Sequence, residues 1–264
     1  MAGKAHEIEY EVRGDDMQFV EIILDPGETV VSEAGAMMFM DQGIEMQSVM
    51  GANKEGGLMG KLFSAGKRML TGESLFLTTF TNQGQGKQRV GFAAPYPGKI
   101  IPMDLSQYGP MLCQKDSYLC SAMGIDVNIA FTKRFGAGLF GGEGFILQKL
   151  SGDGLSFVHA GGMIHYYDLA PGQQMRVDTG CLVAFQESVS YDIQMVGSIK
   201  TALFGGEGLF LAVVTGPGRV FLQSLPFSRL ASRIYAAAPQ TGGRRQGEGS
   251  ILGGLGNLLD GDGL

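Results

Sequence analysis

The sequence predicts an all-β protein whose 264 residues form three imperfect copies of one unit of about 70 residues. Three observations carry this prediction. A Gly-Glu step and a Pro-Gly step each recur three times in the same order, apolar residues alternate with polar ones, and 43 glycines indicate frequent turns. Short alternating segments separated by turns are typical of β structure. We therefore expect one β body.

Two recurring markers define the copies. A Gly-Glu step before an apolar strand start occurs at Gly72-Glu73, Gly142-Glu143 and Gly206-Glu207, at intervals of 70 and 64 residues. A Pro-Gly step lies upstream of each, at Pro26-Gly27, Pro97-Gly98 and Pro171-Gly172, at intervals of 71 and 74 residues. Proline presets φ and glycine supplies a positive φ, as a type II turn requires. Each Pro-Gly step is predicted to separate two strands.

Alternation at period two predicts half-buried strands within each copy, as in Ile8, Tyr10 and Val12. Each copy then becomes a small antiparallel meander whose apolar face it cannot cover alone. We expect a single β domain over residues 1–225 whose copies span about 7–92, 93–160 and 161–225. Packing around a pseudo-threefold axis would bury the three apolar faces against one another.

The C-terminal region departs from the β pattern. Residues 226–237 place Phe227, Leu230 and Ile234 at helical spacing, which predicts a short amphipathic helix docked on the β body. Residues 238–264 are rich in glycine, and their composition predicts a flexible tail.

The run GKRMLTGESLFL at residues 66–77 is echoed by LFGGEG at residues 139–144 and 203–208, and this order spans nearly residues 7–225. With these motifs the chain resembles the altered-inheritance-of-mitochondria family, the mitochondrial biogenesis type, whose bacterial members are mostly uncharacterised. The resemblance implies a β-sandwich or double-stranded β-helix built by repetition, TRAP-like, as in the tryptophan RNA-binding attenuation protein. It also implies a eukaryotic branch linked to organisation of the mitochondrial inner membrane, and it brings no catalytic residues.

Charge and composition narrow the function classes. With 20 basic against 26 acidic residues the formal charge is −6, so we expect no nucleic-acid partner. The start MAGKAHEIEYEVRG lacks the apolar core of a secretory signal, and no stretch approaches the length needed to span a bilayer. Cys113, Cys120 and Cys181 form no C-x-x-C pair and are expected to be buried thiols. We therefore expect a soluble, cytoplasmic protein.

Motifs for catalysis are weak. The segment at residues 136–141 satisfies G-x-G-x-x-G, but the other copies lack it, and a dinucleotide site needs that loop between a strand and a helix. Neither a phosphate-binding P-loop nor a G-x-S-x-G nucleophile elbow occurs. We expect no cofactor and no catalytic residues, and the sequence favours a protein that is not an enzyme.

A metal site remains an alternative, because cupin-like β-barrels hold metals with histidines and a carboxylate. The candidates are His159, His165 and Asp168. They lack the H-x-H step that puts two ligands on one strand face, and the two histidines are predicted on different strands of a hairpin around Gly161-Gly162. The alternative function is therefore a small-molecule or metal-binding β-barrel.

The repeated carboxylates Glu73, Glu143 and Glu207 occupy corresponding positions in the three copies. If their side chains converge, they form a ring able to bind a cation or to titrate abnormally. Alternatively, each caps backbone N–H groups at its own glycine turn or pairs with a basic residue of its own copy.

The segments before these carboxylates couple bulky apolar residues to basic ones. The candidate interaction residues are Leu62, Phe63, Lys67, Arg68, Lys133, Arg134, Phe140, Lys200 and Phe204. Gathered at one end of the body, they would form an apolar surface with a basic rim, suited to another subunit, a partner protein or an anionic membrane. Alternatively, the apolar residues plug the end of the barrel. We expect a non-enzymatic scaffold or interaction protein, a homo-oligomer with a possible protein partner or peripheral membrane contact.

Overall fold

The computed structural model describes residues 4–50, 76–133, 145–195 and 210–238. These ranges hold nineteen strands and two α-helices, and all strand pairs within them are antiparallel. The predicted all-β class is confirmed.

The strands fall into consecutive groups along the chain. The first group is β1 (Glu9–Arg13), β2 (Phe19–Leu24), β3 (Thr29–Glu33), β4 (Met37–Met40), β5 (Ile44–Met50), β6 (Phe76–Asn82) and β7 (Gln88–Ala93). The second is β8 (Gly98–Asp104), β9 (Met111–Gln114), β10 (Tyr118–Ala122), β11 (Asp126–Lys133), β12 (Phe145–Ser151) and β13 (Leu155–Gly161), with the one-turn helix α1 (Leu105–Tyr108) after β8. The third is β14 (Ile164–Leu169), β15 (Gln174–Asp178), β16 (Leu182–Gln186), β17 (Ser190–Met195), β18 (Phe210–Thr215) and β19 (Gly218–Gln223), and it is followed by the helix α2 (Phe227–Ala237).

The described strands form four antiparallel sheets. Sheet 1 has the order β1-β2-β7-β4 and sheet 2 the order β5-β6-β3-β10-β13-β8. Sheet 3 has the order β11-β12-β9-β16-β19-β14 and sheet 4 the order β15-β18-β17. Sheets 2 and 3 each join strands from two consecutive groups, through β3 with β10 and β9 with β16.

One pairing order occurs in each of the strand sets β2–β7, β8–β13 and β14–β19. The first strand of a set pairs with the sixth, and the sixth pairs with the third. The fourth strand pairs with the fifth, and the fifth pairs with the second. Each set therefore divides its six strands between two sheets.

The buried apolar side chains of the described residues form two clusters. One contains residues of sheets 1, 2 and 3, among them Phe80 and Phe92, whose rings meet edge to face with centroids 5.2 Å apart. The other contains residues of sheets 3 and 4, among them Leu182 and Phe185. Complete burial of such a side chain stabilises the fold by about 1.5–3 kcal/mol. Hydrophobic burial thus holds the sheets against one another.

Two of the three Pro-Gly steps form the predicted turns. Gly27, between β2 and β3, has φ 86°, and Gly172, between β14 and β15, has φ 76°. The carbonyls of Asp25 and Ala170 accept the turn hydrogen bonds from residues 28 and 173, at 3.0 and 2.9 Å. Pro97-Gly98 differs, because it precedes β8 and so lies one strand earlier in its set. In the second set, the corresponding connection contains α1.

The C-terminal helix confirms the helix predicted for residues 226–237. No residue of α2 is buried, and Phe227, Ile234 and Tyr235 are exposed. Docking of this helix on the β body stays a prediction, and all but the first residue of the tail predicted over residues 238–264 lies outside the described residues. The chain divides into two compact units between Ser228 and Arg229. Within the described ranges, neither helix has the length and apolarity that a bilayer crossing demands.

Candidate functional site

Most of the predicted interaction residues lie outside the described part of the chain. These are Leu62, Phe63, Lys67, Arg68, Arg134, Phe140, Lys200 and Phe204, together with the carboxylates Glu73, Glu143 and Glu207. Lys133 is the last residue of β11 and stands opposite Phe145 of β12. The candidate loops and the carboxylate ring therefore stay predictions.

The described strands show where these segments attach. Residues 51–75, 134–144 and 196–209 each link the fourth strand of a set to its fifth strand. The flanking strand ends are paired: Met50 with Phe76, Lys133 with Phe145, and Met195 with Phe210. Each predicted loop therefore joins the two strands of one antiparallel pair, and each is followed by a phenylalanine that opens the fifth strand.

His159 lies in the interior, on β13, and its side chain is 1% exposed. Its Nε2 atom is 3.1 Å from the Tyr96 carbonyl, and the Tyr96 ring meets the imidazole edge to face at 4.5 Å. A carbonyl only accepts, so the neutral ring carries its proton on Nε2 and donates it to Tyr96. Nδ1 is buried and has no hydrogen-bond partner among the described residues. Burial lowers the pKa of His159 to about 4, against a smaller opposing effect of the bond to Tyr96.

His165 and Asp168 lie on β14 and are exposed. The histidines are on successive strands, as predicted, but β13 belongs to sheet 2 and β14 to sheet 3, so they do not form the expected hairpin. Asp168 holds Arg219 of β19 with two hydrogen bonds of 2.7 and 2.8 Å. Among the described residues, which include all three candidates, no group of three His, Cys, Asp or Glu side chains can hold a metal ion. The structure therefore does not bring His159, His165 and Asp168 together as a metal-binding group.

An aromatic and charged cluster surrounds Arg219 instead. Its guanidinium carbon lies 4.0 Å from the centre of the Tyr166 ring and 5.9 Å from that of Tyr108. The backbone N–H of Arg219 donates to Gln186 Oε1 at 2.8 Å, which fixes the start of β19. A guanidinium over an aromatic face is attracted by the negative ring face. The side chains of Tyr166 and Asp168 are thereby held in place on one face of β14.

Electrostatics agree with this geometry. The hydrogen bonds from Arg219 hold the pKa of the Asp168 carboxyl below its usual range. The pKa of Arg219 is raised, chiefly by its hydrogen bond with Asp168 and further by one with Tyr108. The cluster is thus a fixed ion pair at neutral pH.

Both faces of β14 carry exposed aromatic side chains. Tyr166 is 49% exposed and Tyr167 is 43% exposed, on opposite faces because neighbouring strand residues alternate. His165 meets the Tyr167 ring edge to face at 4.7 Å. The sequence interpretation placed His165 on a strand but missed the exposed tyrosines beside it, although two adjacent tyrosines in an alternating segment cannot both face one core. The partnership of Arg219 with β14 has no local sequence signal, since the two are 51 residues apart.

Fold and surface together define an all-β protein of antiparallel sheets in which aromatic side chains stand on an outer strand. A sequence model of the mitochondrial biogenesis AIM24 family matches residues 10–225, and the chain belongs to this family. The resemblance inferred from the sequence is confirmed. A relative is an uncharacterized protein of Streptococcus pyogenes serotype M6, 28% identical over 227 residues, covering 84% of this chain and 88% of that protein.

A solved structure shares the fold. The crystal structure of a second Streptococcus pyogenes protein superposes with a TM-score of 0.69 and covers 88% of this chain and 100% of that one. The two sequences are 22% identical. The likeness therefore concerns the fold.

Proposed function

We propose that this chain is a non-enzymatic interaction module, built from three copies of one unit around a pseudo-threefold axis, that docks on an anionic surface through three equivalent loops. The loops are residues 51–75, 134–144 and 196–209. They hold the apolar and basic candidates, among them Lys67 and Arg68. The protein acts in the cytoplasm.

The observation that carries the proposal is the shared attachment of the three loops. Each joins the fourth and fifth strands of its set, and each starts and ends at a paired position of those strands. The recurrence of one pairing order in three strand sets supports three copies of one unit, TRAP-like in arrangement. The ends of the strand sets, Ala93, Gly161 and Gln223, lie within two residues of the proposed copy ends at about 92, 160 and 225.

An interaction role fits the charge pattern. The chain as a whole carries a formal charge of −6, so attraction to an anionic surface must come from local basic residues. Lys67, Arg68, Lys133, Arg134 and Lys200 supply such charges beside bulky apolar residues. Apolar insertion combined with basic contacts is the usual physical basis of peripheral membrane binding.

Vesicle flotation tests the proposal. The intact protein is expected to bind vesicles containing phosphatidylserine, to bind less at high salt, and not to bind phosphatidylcholine alone. Each basic residue near an anionic surface contributes about 1 kcal/mol, so Lys67→Gln with Arg68→Gln should weaken binding about 30-fold.

The matched control neutralises two basic residues outside these loops, Lys99 of β8 and Arg176 of β15. Replacing both by glutamine should leave binding within about twofold of the original protein. Equal loss in both double variants, or no vesicle binding even at low salt, overturns the proposed docking.

A further inference from the structure

The strands β2, β8 and β14 occupy the same place in their strand sets, and each pairs on one side with the sixth strand of its set. Within its own set, each of these strands has no partner on its other side. An unprotected edge presents a row of unpaired N–H and C=O groups that can template another strand. The three strands differ in what covers this other side.

Two of these edges are protected. β1 pairs along β2 from Arg13 opposite Phe19 to Glu9 opposite Ile23. On β8, the Gly98 N–H donates to the Asp16 carbonyl at 2.7 Å.

Further along β8, the Ile100 N–H donates to Gln18 Oε1 at 2.8 Å. The next residue with the same orientation is Pro102, which has no N–H. Proline on an edge strand is a common block to strand addition. The β8 edge is thus closed along its length.

The β14 edge has none of these devices. The Met163 carbonyl accepts a hydrogen bond from Ser224 at 3.0 Å, so Met163 faces β19. Orientation alternates along an antiparallel strand, so the backbone groups of Ile164, Tyr166 and Asp168 point away from β19. No hydrogen bond to these outward groups occurs within the described ranges.

β14 also lacks the residues that usually discourage pairing. It contains no proline and no lysine, and its register with β19 runs without a bulge from Ile164 to Leu169. Two other outer strands carry such features: β1 has three charged residues among five, and β4 has four residues with a register shift. The apolar exposure at Met163, Tyr166 and Tyr167 lies directly on the open edge.

We propose that the β14 edge is a homodimer interface, in which β14 of a second copy of this chain adds antiparallel to sheet 3. This inference rests on the proposed interaction role and names a partner for it. We choose a second copy of the same strand as the partner because the outward residues of β14 can pair symmetrically with themselves. The outward residues Ile164, Tyr166 and Asp168 form a set centred on Tyr166.

A two-fold axis perpendicular to the sheet at Tyr166 keeps every side chain on its own face. It places Tyr166 opposite the same residue of the second copy and Ile164 opposite Asp168. All outward N–H and C=O groups of these residues then pair, giving about six hydrogen bonds. On the other face, His165 meets Tyr167 of the second copy, which repeats the histidine–tyrosine contact already present within one strand.

The test is a sedimentation-velocity series on the intact protein from about 1 to about 200 µM, because dimer population depends on protomer concentration. The original chain should shift from monomer to dimer across this range. Tyr166→Pro removes the central outward N–H without breaking a bond to β19, as Pro102 does in β8, and should stay monomeric.

Tyr166→Lys is the second variant, since it keeps the backbone donor but sets two ammonium groups against each other across the axis. It should weaken the dimer at least about tenfold. The matched control is Tyr10→Lys on the exposed edge strand β1, where the tyrosine is 40% exposed. The control should dimerise like the original chain.

Amide hydrogen exchange locates the contact. Exchange at Ile164, Tyr166 and Asp168 should slow at high protein concentration and not at low concentration. A chain that is monomeric throughout, or a dimer that persists in folded Tyr166→Pro and Tyr166→Lys, overturns the inference. If the variants lose the dimer and still bind vesicles, both proposals are supported. If the original chain is monomeric throughout and binds vesicles, only the dimer proposal is overturned.

Discussion

Acidification should reveal the buried imidazole of His159 as a specific source of instability. In the folded protein its pKa is about 4, because burial disfavours the charged ring. Protonation would put an N–H on Nδ1, which has no acceptor among the described residues. In the unfolded chain a histidine has a pKa of about 6.5. At a pH between these two pKa values, the unfolded state binds a proton that the folded state does not.

The sign and size of the effect of His159 on the free energy of unfolding follow from proton linkage. Where the unfolded state binds more protons, stability rises with pH. The free energy of unfolding should therefore lose a contribution of at most about 3 kcal/mol as pH falls from about 6.5 to about 4. The loss is complete below about pH 4 and absent above about pH 6.5. The steepest slope is about 1.4 kcal/mol per pH unit.

Urea unfolding at several pH values between 7 and 4 measures this contribution. His159→Phe removes the titrating group while keeping a ring of similar shape, so its unfolding free energy should fall less on acidification. Tyr96→Phe is the matched control, because it keeps both the facing ring and the backbone carbonyl that His159 uses. Its pH dependence should match that of the original chain. Parallel curves for the original chain and His159→Phe would refute the reasoning.

Two further predictions concern the core. Phe157 is fully buried and its ring meets that of Tyr10 at 5.0 Å, so Phe157→Ala should lower the free energy of unfolding in urea by about 3–5 kcal/mol. Tyr10→Ala should cost clearly less, because that side chain is partly exposed. Burial raises the pKa of the Cys113 and Cys120 thiols, whereas Cys181 is partly exposed. In the native protein Ellman's reagent should therefore react first at Cys181, and rapid reaction of all three thiols would contradict the burial.

The β class was accessible from sequence, because turn residues and period-two alternation act locally. On β17 this alternation is visible, since Ile193 is buried and its neighbour Asp192 is exposed. Pro97-Gly98 lies one strand earlier in its set than the other two Pro-Gly steps, which shows the limit of such markers. A dipeptide specifies a turn, but not which pair of strands the turn connects.

Surface features were less accessible, because they depend on pairing between distant segments. Whether β14 is an edge follows from its pairing with β19 and from the absence of a cover like β1, neither of which is encoded within residues 164–169. The metal candidates failed for the same reason. His159 and His165 are close in sequence, yet their strands belong to different sheets.

The equivalence of the three loops is the central claim, and vesicle binding by a set of loop variants tests it most directly. Lys67→Gln with Arg68→Gln changes two basic residues of the first loop, and Lys200→Gln changes the basic residue of the third. Lys133→Gln with Arg134→Gln changes the end of β11 and the first residue of the second loop. We predict that each variant weakens binding to phosphatidylserine vesicles, by about fivefold for the single change and about 30-fold for each double change. Binding that depends on one loop alone, or on none, would contradict a shared docking surface.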